Sequence, residues 1–187
     1  MRRRQLWFSC VLLCFGCAGP LKEFYPGTFL PEQRIYQNKP IGFSLAYRGN
    51  WDITTDPNRM KAHRKFAREL HHTGAELLFI GFTVEKTQGT RCIVSNLNET
   101  NWEYAEQIQL INRAQIDSDN GLTNDTIGTL PMVRWEYSKD EFRFVEFFFA
   151  VDTYNLRVAF WTKPLLYGKF LPVYKEIMGT LALSDKH

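Results

Sequence analysis

Two stretches of the chain are apolar on both sides of a strand, and they constrain the fold more than any other feature. Residues 77–84 read Leu-Leu-Phe-Ile-Gly-Phe-Thr-Val, and the run 141–151 is apolar on both faces in its second half, with three phenylalanines at 147–149. Successive side chains of a strand point to opposite faces of the sheet, so a strand without polar positions needs cover on both faces. These two stretches predict central strands of a sheet that lies between two other layers.

Three further segments have the spacing of amphipathic helices, which bury one apolar stripe and expose a polar one. Their starts carry capping signals, and glycine marks two of their ends. The predicted helices cover residues 57–72, introduced by Asp56 and Pro57; about 101–114, introduced by a capping box of Thr100 and Glu103; and 164–179, introduced by Pro164. The core-facing positions expected in the last two are Trp102, Ala105, Ile108 and Ile111, and Leu165, Leu166, Phe170, Val173 and Ile177.

Shorter runs complete the predicted sheet. Residues 41–47 alternate bulky and small side chains, which predicts a strand with one face on the core. Further strands are expected over 91–97, 129–137, 156–162 and 181–183, with a hairpin turn at 152–155 and a polar loop at 117–126. We therefore predict an α/β (α+β) fold: a helix/sheet/helix sandwich around a mostly antiparallel sheet.

The first 16 residues have the composition of a secretion signal. Residues 2–4 are arginines, and the apolar run from Leu6 to Phe15 is shorter than the roughly 20 apolar residues that a membrane-spanning helix needs. Its end, Phe15-Gly16-Cys17, resembles the lipobox of bacterial lipoproteins. The resemblance implies cleavage before Cys17 and acylation of its thiol, with palmitate for example, whereas cleavage after Ala18 by an ordinary signal peptidase would leave a secreted protein.

Four prolines lie between residues 18 and 40, where little periodicity is visible. We interpret this segment mainly as a tether that holds a domain away from a membrane surface and that ends in a short strand. The predicted organisation is a signal peptide at 1–16, a lipidated N-terminus and tether at 17–32, and a single domain at 33–187. The predicted location is the bacterial cell envelope, lipid-anchored to a membrane, with secretion as the alternative.

Charge and cysteines exclude several classes of function. Removing the three leader arginines leaves 20 basic and 20 acidic side chains, since the whole chain has 23 and 20. General affinity for nucleic acid needs a net positive charge, so we expect no nucleic-acid partner. Cys92 is the one cysteine after Cys17, which excludes a disulfide framework within the domain and a zinc site built on a cysteine pair. In the sequence Arg-Cys-Ile-Val we interpret Cys92 as a buried strand residue.

The two ends of the domain resemble one known family. Residues 42–47 read Gly-Phe-Ser-Leu-Ala-Tyr, with Trp51 following, and residues 174–181 read Tyr-Lys-Glu-Ile-Met-Gly-Thr-Leu. These stretches look like the opening strand and the closing helix and strand of PsbP-like and DcrB-like domains. The resemblance spans most of residues 41–183 and implies a binding or accessory role rather than an enzyme. It transfers no functional residue, because the matching positions are core positions.

A second resemblance leads to another fold. Gly49-Asn50-Trp51 is similar to the glycine-x-tryptophan start of lipocalins, and residues 151–154 are faintly similar to a later lipocalin motif. Lipocalins are eight-stranded barrels without internal helices at positions such as 57–72 and 100–114. The two predicted helices favour the PsbP-like fold over the barrel.

Few residues suggest a catalytic or metal-binding site. His63 and His71 are too far apart along a helix to bind one metal ion, and no catalytic or phosphate-binding motif is present. We therefore predict no enzyme activity and no cofactor. A basic surface on the first predicted helix, formed by Lys61, Arg64, Lys65 and Arg68, is the candidate membrane-facing site.

The functional hypothesis is a cell-envelope lipoprotein that acts as a non-catalytic accessory or protein-interaction module, with an envelope protein as partner. The alternative is a carrier of a small apolar ligand, either lipocalin-like or with a cleft lined by aromatic residues.

Overall fold

The computed structural model describes residues 27–56, 59, 70 and 74–184. They form two sheets, two α-helices and a short 3-10 helix at Arg113–Gln115. In chain order the elements are β1 Thr28–Leu30, β2 Ile35–Asn38, β3 Phe43–Ala46, β4 Trp51–Thr54, β5 Ala75–Thr83, β6 Gln88–Ser95, α1 Asn101–Asn112, β7 Ser118–Ile127, β8 Leu130–Lys139, β9 Phe142–Val151, β10 Tyr154–Thr162, α2 Pro164–Gly179 and β11 Ala182–Leu183. In this part of the chain, neither helix is long and apolar enough to cross a membrane.

The larger sheet has seven strands in the order β4-β5-β6-β10-β9-β8-β7, and the smaller has four in the order β1-β2-β3-β11. Every pair of neighbouring strands among the described residues is antiparallel. The prediction of a mostly antiparallel sheet is therefore confirmed. The β9–β10 hairpin is also as predicted, and Asp152 in its turn has the positive φ (51°) that tight hairpin turns require.

One face of the larger sheet packs against both α2 and the smaller sheet. Phe160 of β10 stacks on Tyr174 of α2, with ring centroids 4.8 Å apart, and Phe149 of β9 meets Phe43 of β3 edge to face at 6.2 Å. Aromatic pairs in such geometries add about 0.5–1.5 kcal/mol each beyond the area that they bury. This layer is the main core of the molecule.

The other face of the larger sheet is covered by α1. Tyr104 and Ala105 of α1 are buried against Val133, Trp135 and Phe148 of β8 and β9. Of the predicted helix over 57–72, the described residues are Arg59 and Leu70. Leu70 is helical and packs in a small cluster with residues of β5 and β6.

Both predicted central strands are confirmed, since Leu77 to Ile80 of β5 and Phe147 to Phe149 of β9 are buried on both faces. The layers differ from the prediction. The smaller sheet shares a face with α2, so the architecture is richer in sheet than a helix/sheet/helix sandwich. β1 lies within the range 17–32 that the sequence analysis assigns to the tether, because its three residues carry too little pattern to be recognised as a strand.

Four local predictions were wrong. Residues 117–126, interpreted as a loop, mostly form β7, an edge strand whose exposed side chains leave no apolar alternation to detect. Leu165 is 98% exposed because it lies in the first turn of α2, whose buried residues are Tyr174, Ile177 and Met178. Trp102 and Ile111 of α1 are also exposed, at 36% and 65%, because the helix buries Tyr104 and Ala105 between them and not its two ends.

Candidate functional site

The predicted site residues lie outside the described residues. These are the lipidation site Cys17 and the basic surface of Lys61, Arg64, Lys65 and Arg68; the histidines at 63, 71 and 72 are outside them too. All of them remain predictions. Within the described ranges, no group of three or more His, Cys, Asp or Glu side chains is arranged to hold a metal ion.

Cys92 is fully buried on β6, as predicted. Burial raises the pKa of its thiol, since a thiolate would lose its hydration in the apolar interior. Nucleophilic and redox chemistry use the thiolate form, so this cysteine behaves as a small core side chain.

The structure brings together four polar residues that the sequence analysis did not single out, here called the buried ionic cluster: Arg91, Tyr137, Glu146 and Arg157. Glu146 is at its centre and is fully buried. Its Oε1 atom accepts a hydrogen bond from Arg91 Nη2 at 2.7 Å and from the Tyr137 hydroxyl at 2.9 Å. Arg157 Nη1 lies 3.6 Å from its Oε2 atom.

The register of the sheet explains how the cluster forms. Arg91 of β6 and Glu146 of β9 are both cross-strand neighbours of Ala159 on β10, which lies between them. The methyl side chain of Ala159 leaves room for the guanidinium of Arg91 to reach across one strand. The same guanidinium lies 6.0 Å from the ring centroid of Phe144 and 5.8 Å from that of Trp161, within cation–π range.

Opposing effects set the ionisation of Glu146. Burial acts to raise the pKa of its carboxyl, but the positive charges of Arg157 and Arg91, with hydrogen bonds from Arg91 and Tyr137, outweigh burial and leave the pKa below its usual value. Burial also raises the pKa of Tyr104, next to the cluster, to about 12. At physiological pH the cluster therefore contains an ionised carboxylate and the neutral Tyr137, whose pKa is raised by burial, and the neighbouring Tyr104 is neutral too. Glu146 and Arg157 are enclosed between the sheet and the helix layer. Their arrangement therefore fits a role in stabilising the fold.

A sequence signal for this cluster exists. Glu146 stands in the run Phe-Val-Glu-Phe-Phe-Phe, and Arg157 in Leu-Arg-Val-Ala-Phe. A single charged residue within an apolar strand is buried whichever face it takes, and buried charges need partners. What the sequence lacks is the register, which decides which charges meet.

On the surface, an opening of about 680 Å³ lies between α1 and the start of β7. We call it the α1–β7 groove. It is lined by Glu106, Gln109, Leu110, Arg113, Ile116, Asp117, Ser118 and Asp119. Leu110 is 70% exposed and gives the groove an apolar wall. A smaller cleft of about 330 Å³ lies between β1 and β4, with Phe29 and Trp51 among its lining residues.

Asp119 lies between the two walls of the groove and is hydrogen bonded to α1, β7 and β8. Its Oδ2 atom accepts a hydrogen bond from Gln109 Nε2 at 2.8 Å, and its Oδ1 atom accepts one from Trp135 Nε1 at 2.9 Å and one from the Gly121 amide at 2.7 Å. The bond from Gln109 connects α1 to the edge strand, and the other two hold the Asp119 side chain in place between the two walls of the groove.

Comparison with known proteins identifies the fold. No family model and no curated protein match the chain. Among solved structures, the solution structure of cyanobacterial PsbP (CyanoP) from Synechocystis sp. PCC 6803 is similar with a TM-score of 0.57 and 8% identity, over 80% of this chain and 91% of that one. A crystal structure from Bacteroides thetaiotaomicron has a TM-score of 0.45 and 12% identity, over 88% of this chain and 50% of that one. At such low identity the likeness to CyanoP concerns the fold alone, and it confirms that this chain has a PsbP-like fold.

Proposed function

We propose that this chain is a bacterial cell-envelope lipoprotein, related to DcrB-like proteins, whose PsbP-like domain is a non-catalytic accessory or protein-interaction module. The observation that carries the proposal is the PsbP-like fold of the described residues, which extends over nine tenths of the cyanobacterial PsbP structure. A signal peptide followed by a lipobox-like Cys17 supports the envelope location. The predicted basic surface of Lys61, Arg64, Lys65 and Arg68 would add attraction to anionic lipid of about 1 kcal/mol for each charge close to the membrane.

The packing of the interior favours a module over a carrier. Core aromatic rings fill the space between the sheets by touching one another, as Tyr36 does with Phe79 at 4.4 Å between ring centroids. The seven-stranded sheet has two edges among its described strands, β4 and β7, and it is not the closed barrel that a lipocalin uses to enclose a ligand. The buried charges also pair with one another, and their enclosure supports a structural role over a catalytic one.

The test is to extract the tagged protein from membranes, capture it by its tag and analyse the purified material by native mass spectrometry. We expect one or more envelope proteins to co-purify and the protein itself to have the mass of the lipidated chain alone. The matched control is Cys17→Ser, which should lose the lipid mass. A small apolar molecule bound in stoichiometric amount, without any protein partner, would support the carrier and contradict the module.

A further inference from the structure

The strand β7 is a free edge of the larger sheet. Among the described strands it has one neighbour, β8, with which it pairs from Ser118 to Ile127. An edge strand presents a row of backbone amide and carbonyl groups to which another extended chain can add. Ten residues is long for an exposed edge, since strands of five or six residues are most common.

The register shows which groups face outward. The hairpin between β7 and β8 has a two-residue loop, and Ile127 and Leu130 form its closing pair. In such hairpins the two residues of the closing pair are hydrogen bonded to each other through their backbones. From there along the strands, hydrogen-bonded pairs alternate with pairs whose backbone groups point away from the partner strand. Leu122, Asn124 and Thr126 therefore direct their backbone groups away from β8. Thr126 agrees with this, because its amide donates to the side-chain Oδ1 of Asp125 at 2.9 Å.

Helix α1 covers the face of the sheet over β8 and β9, and its outer side chains border the start of β7. Asn101 at its start donates a hydrogen bond to the Pro131 carbonyl near one end of β7, and Gln109 bonds to Asp119 near the other. These two bonds connect α1 to the β7–β8 hairpin, while the buried residues of the helix pack on β8 and β9. At helical spacing, one flank of α1 carries Trp102, Glu106, Gln109, Leu110 and Arg113, and the last four of these line the α1–β7 groove.

The charges around the groove favour a partner segment with a positive charge. Its lining has three carboxylates, at Glu106, Asp117 and Asp119, against the single guanidinium of Arg113. The strand itself has no lysine or arginine and two aspartates, of which Asp125 pairs with Arg134 of β8 at 3.1 Å. In a pairing of two β7 edges, both copies would bring negative and no positive side chains of β7 to one interface, and like charges opposite one another destabilise cross-strand pairs. A basic segment would meet attractive charges instead.

We infer that β7 and the flank of α1 form a docking surface for an extended, basic segment of a partner protein. The segment adds to the sheet as a strand next to β7, places an aliphatic side chain on Leu110 and directs lysine or arginine side chains toward Glu106 and Asp117. This inference rests on the proposed function and specifies the chemistry of the partner.

The test uses the purified full chain in detergent and a short, capped, fluorescently labelled peptide in which lysine and valine alternate. The control peptide has glutamate in place of each lysine. Binding is measured by fluorescence anisotropy, and the bound region is located by hydrogen exchange with mass spectrometry. We expect the basic peptide alone to bind, salt to weaken the binding, and residues 118–127 to gain protection from exchange.

Two variants separate strand addition from general charge attraction. Asn124→Pro removes an outward amide and leaves the hydrogen bonds to β8 in place, so it should abolish binding and leave the unfolding transition almost unchanged. Charge reversal at Glu106 and Asp117 to lysine should weaken binding by about tenfold or more. Reversal of the exposed Glu85 to lysine, on the β5–β6 turn, is the control and should have little effect.

Protection at β4, equal binding of both peptides, or full binding by a folded Asn124→Pro variant would overturn the inference. These outcomes are independent of the proposed function, which depends on anchoring and on partners captured from membranes. Peptide binding at β7 without a captured partner would contradict the proposed function alone. A captured partner with no peptide binding would contradict this docking surface alone.

Discussion

Glu146 connects three strands of the larger sheet through one carboxylate. It bonds to Arg91 on β6 and to Tyr137 on β8, and it faces Arg157 on β10. Each of these groups gave up hydration when the protein folded, so each depends on the others for its hydrogen bonds and charge balance. This makes Glu146 the polar residue whose replacement should cost most.

We predict that Glu146→Gln lowers the free energy of unfolding by about 3–5 kcal/mol, because it leaves two largely buried arginines without their carboxylate. Urea denaturation followed by tryptophan fluorescence measures the difference. Glu85→Gln, at an exposed turn, is the matched control and should change the free energy of unfolding by less than about 0.5 kcal/mol. A Glu146→Gln variant as stable as the wild type would show that the buried ionic cluster does not stabilise the folded state.

The pH dependence follows from the lowered pKa of Glu146. A carboxyl whose pKa is lower in the folded state contributes stability that is fully present above its unfolded pKa, about 4.3 for glutamate, and that is lost as pH falls through the folded pKa. Wild type and Glu146→Gln should therefore differ most near neutral pH and converge as the pH falls below about 4. A constant difference between them from pH 7 to pH 3 would contradict the assigned shift.

Among the helices and strands, those specified by local sequence could be predicted, and those that depend on tertiary pairing could not. The capping box predicted at Thr100 and Glu103 is present, with Thr100 Oγ1 accepting from the Glu103 amide at 3.2 Å and Glu103 Oε2 accepting from the Thr100 amide at 3.1 Å. Local chemistry of this kind is readable because it depends on residues three apart. β7 was not readable, because its conformation depends on pairing with β8 and its own side chains are mostly exposed.

Thr100→Ala should lower the free energy of unfolding by about 1 kcal/mol, since it removes the side chain that caps α1. Thr100→Ser keeps the hydroxyl and should restore most of the loss. Thermal unfolding by circular dichroism compares the three proteins. Equal losses in both variants would indicate that the methyl group, and not the cap, provides the stabilisation.

In the whole molecule, the sequences at the two ends of the domain predicted the fold, but they did not predict the surface formed by the α1–β7 groove. The strand at 43–46 and the helix and strand at 164–183 lie side by side, since β11 pairs with β3, and this explains why the stretches that resemble PsbP-like domains are structural ones. The α1–β7 groove was not predictable, because Leu110 lies outside the predicted apolar stripe of α1 and the groove depends on where β7 runs. The position of a docking surface follows from tertiary pairing, which one sequence does not reveal.

A membrane anchor would determine how this surface is used. A tethered domain meets its partners within the narrow layer next to the membrane, where even a weak strand-adding contact is formed often because the local concentration is high. Without the anchor, the same domain would be diluted into the surrounding compartment. The proposed role therefore depends on Cys17.

The most direct test of this account is the membrane partition of the wild-type chain and of Cys17→Ser in a bacterium that processes lipoproteins, with metabolic labelling by a palmitate analogue. The account predicts that the wild type is labelled and sediments with membranes at high salt, and that Cys17→Ser is unlabelled and becomes soluble with the same folded domain. An unlabelled wild type, or a partition that Cys17→Ser leaves unchanged, would contradict it.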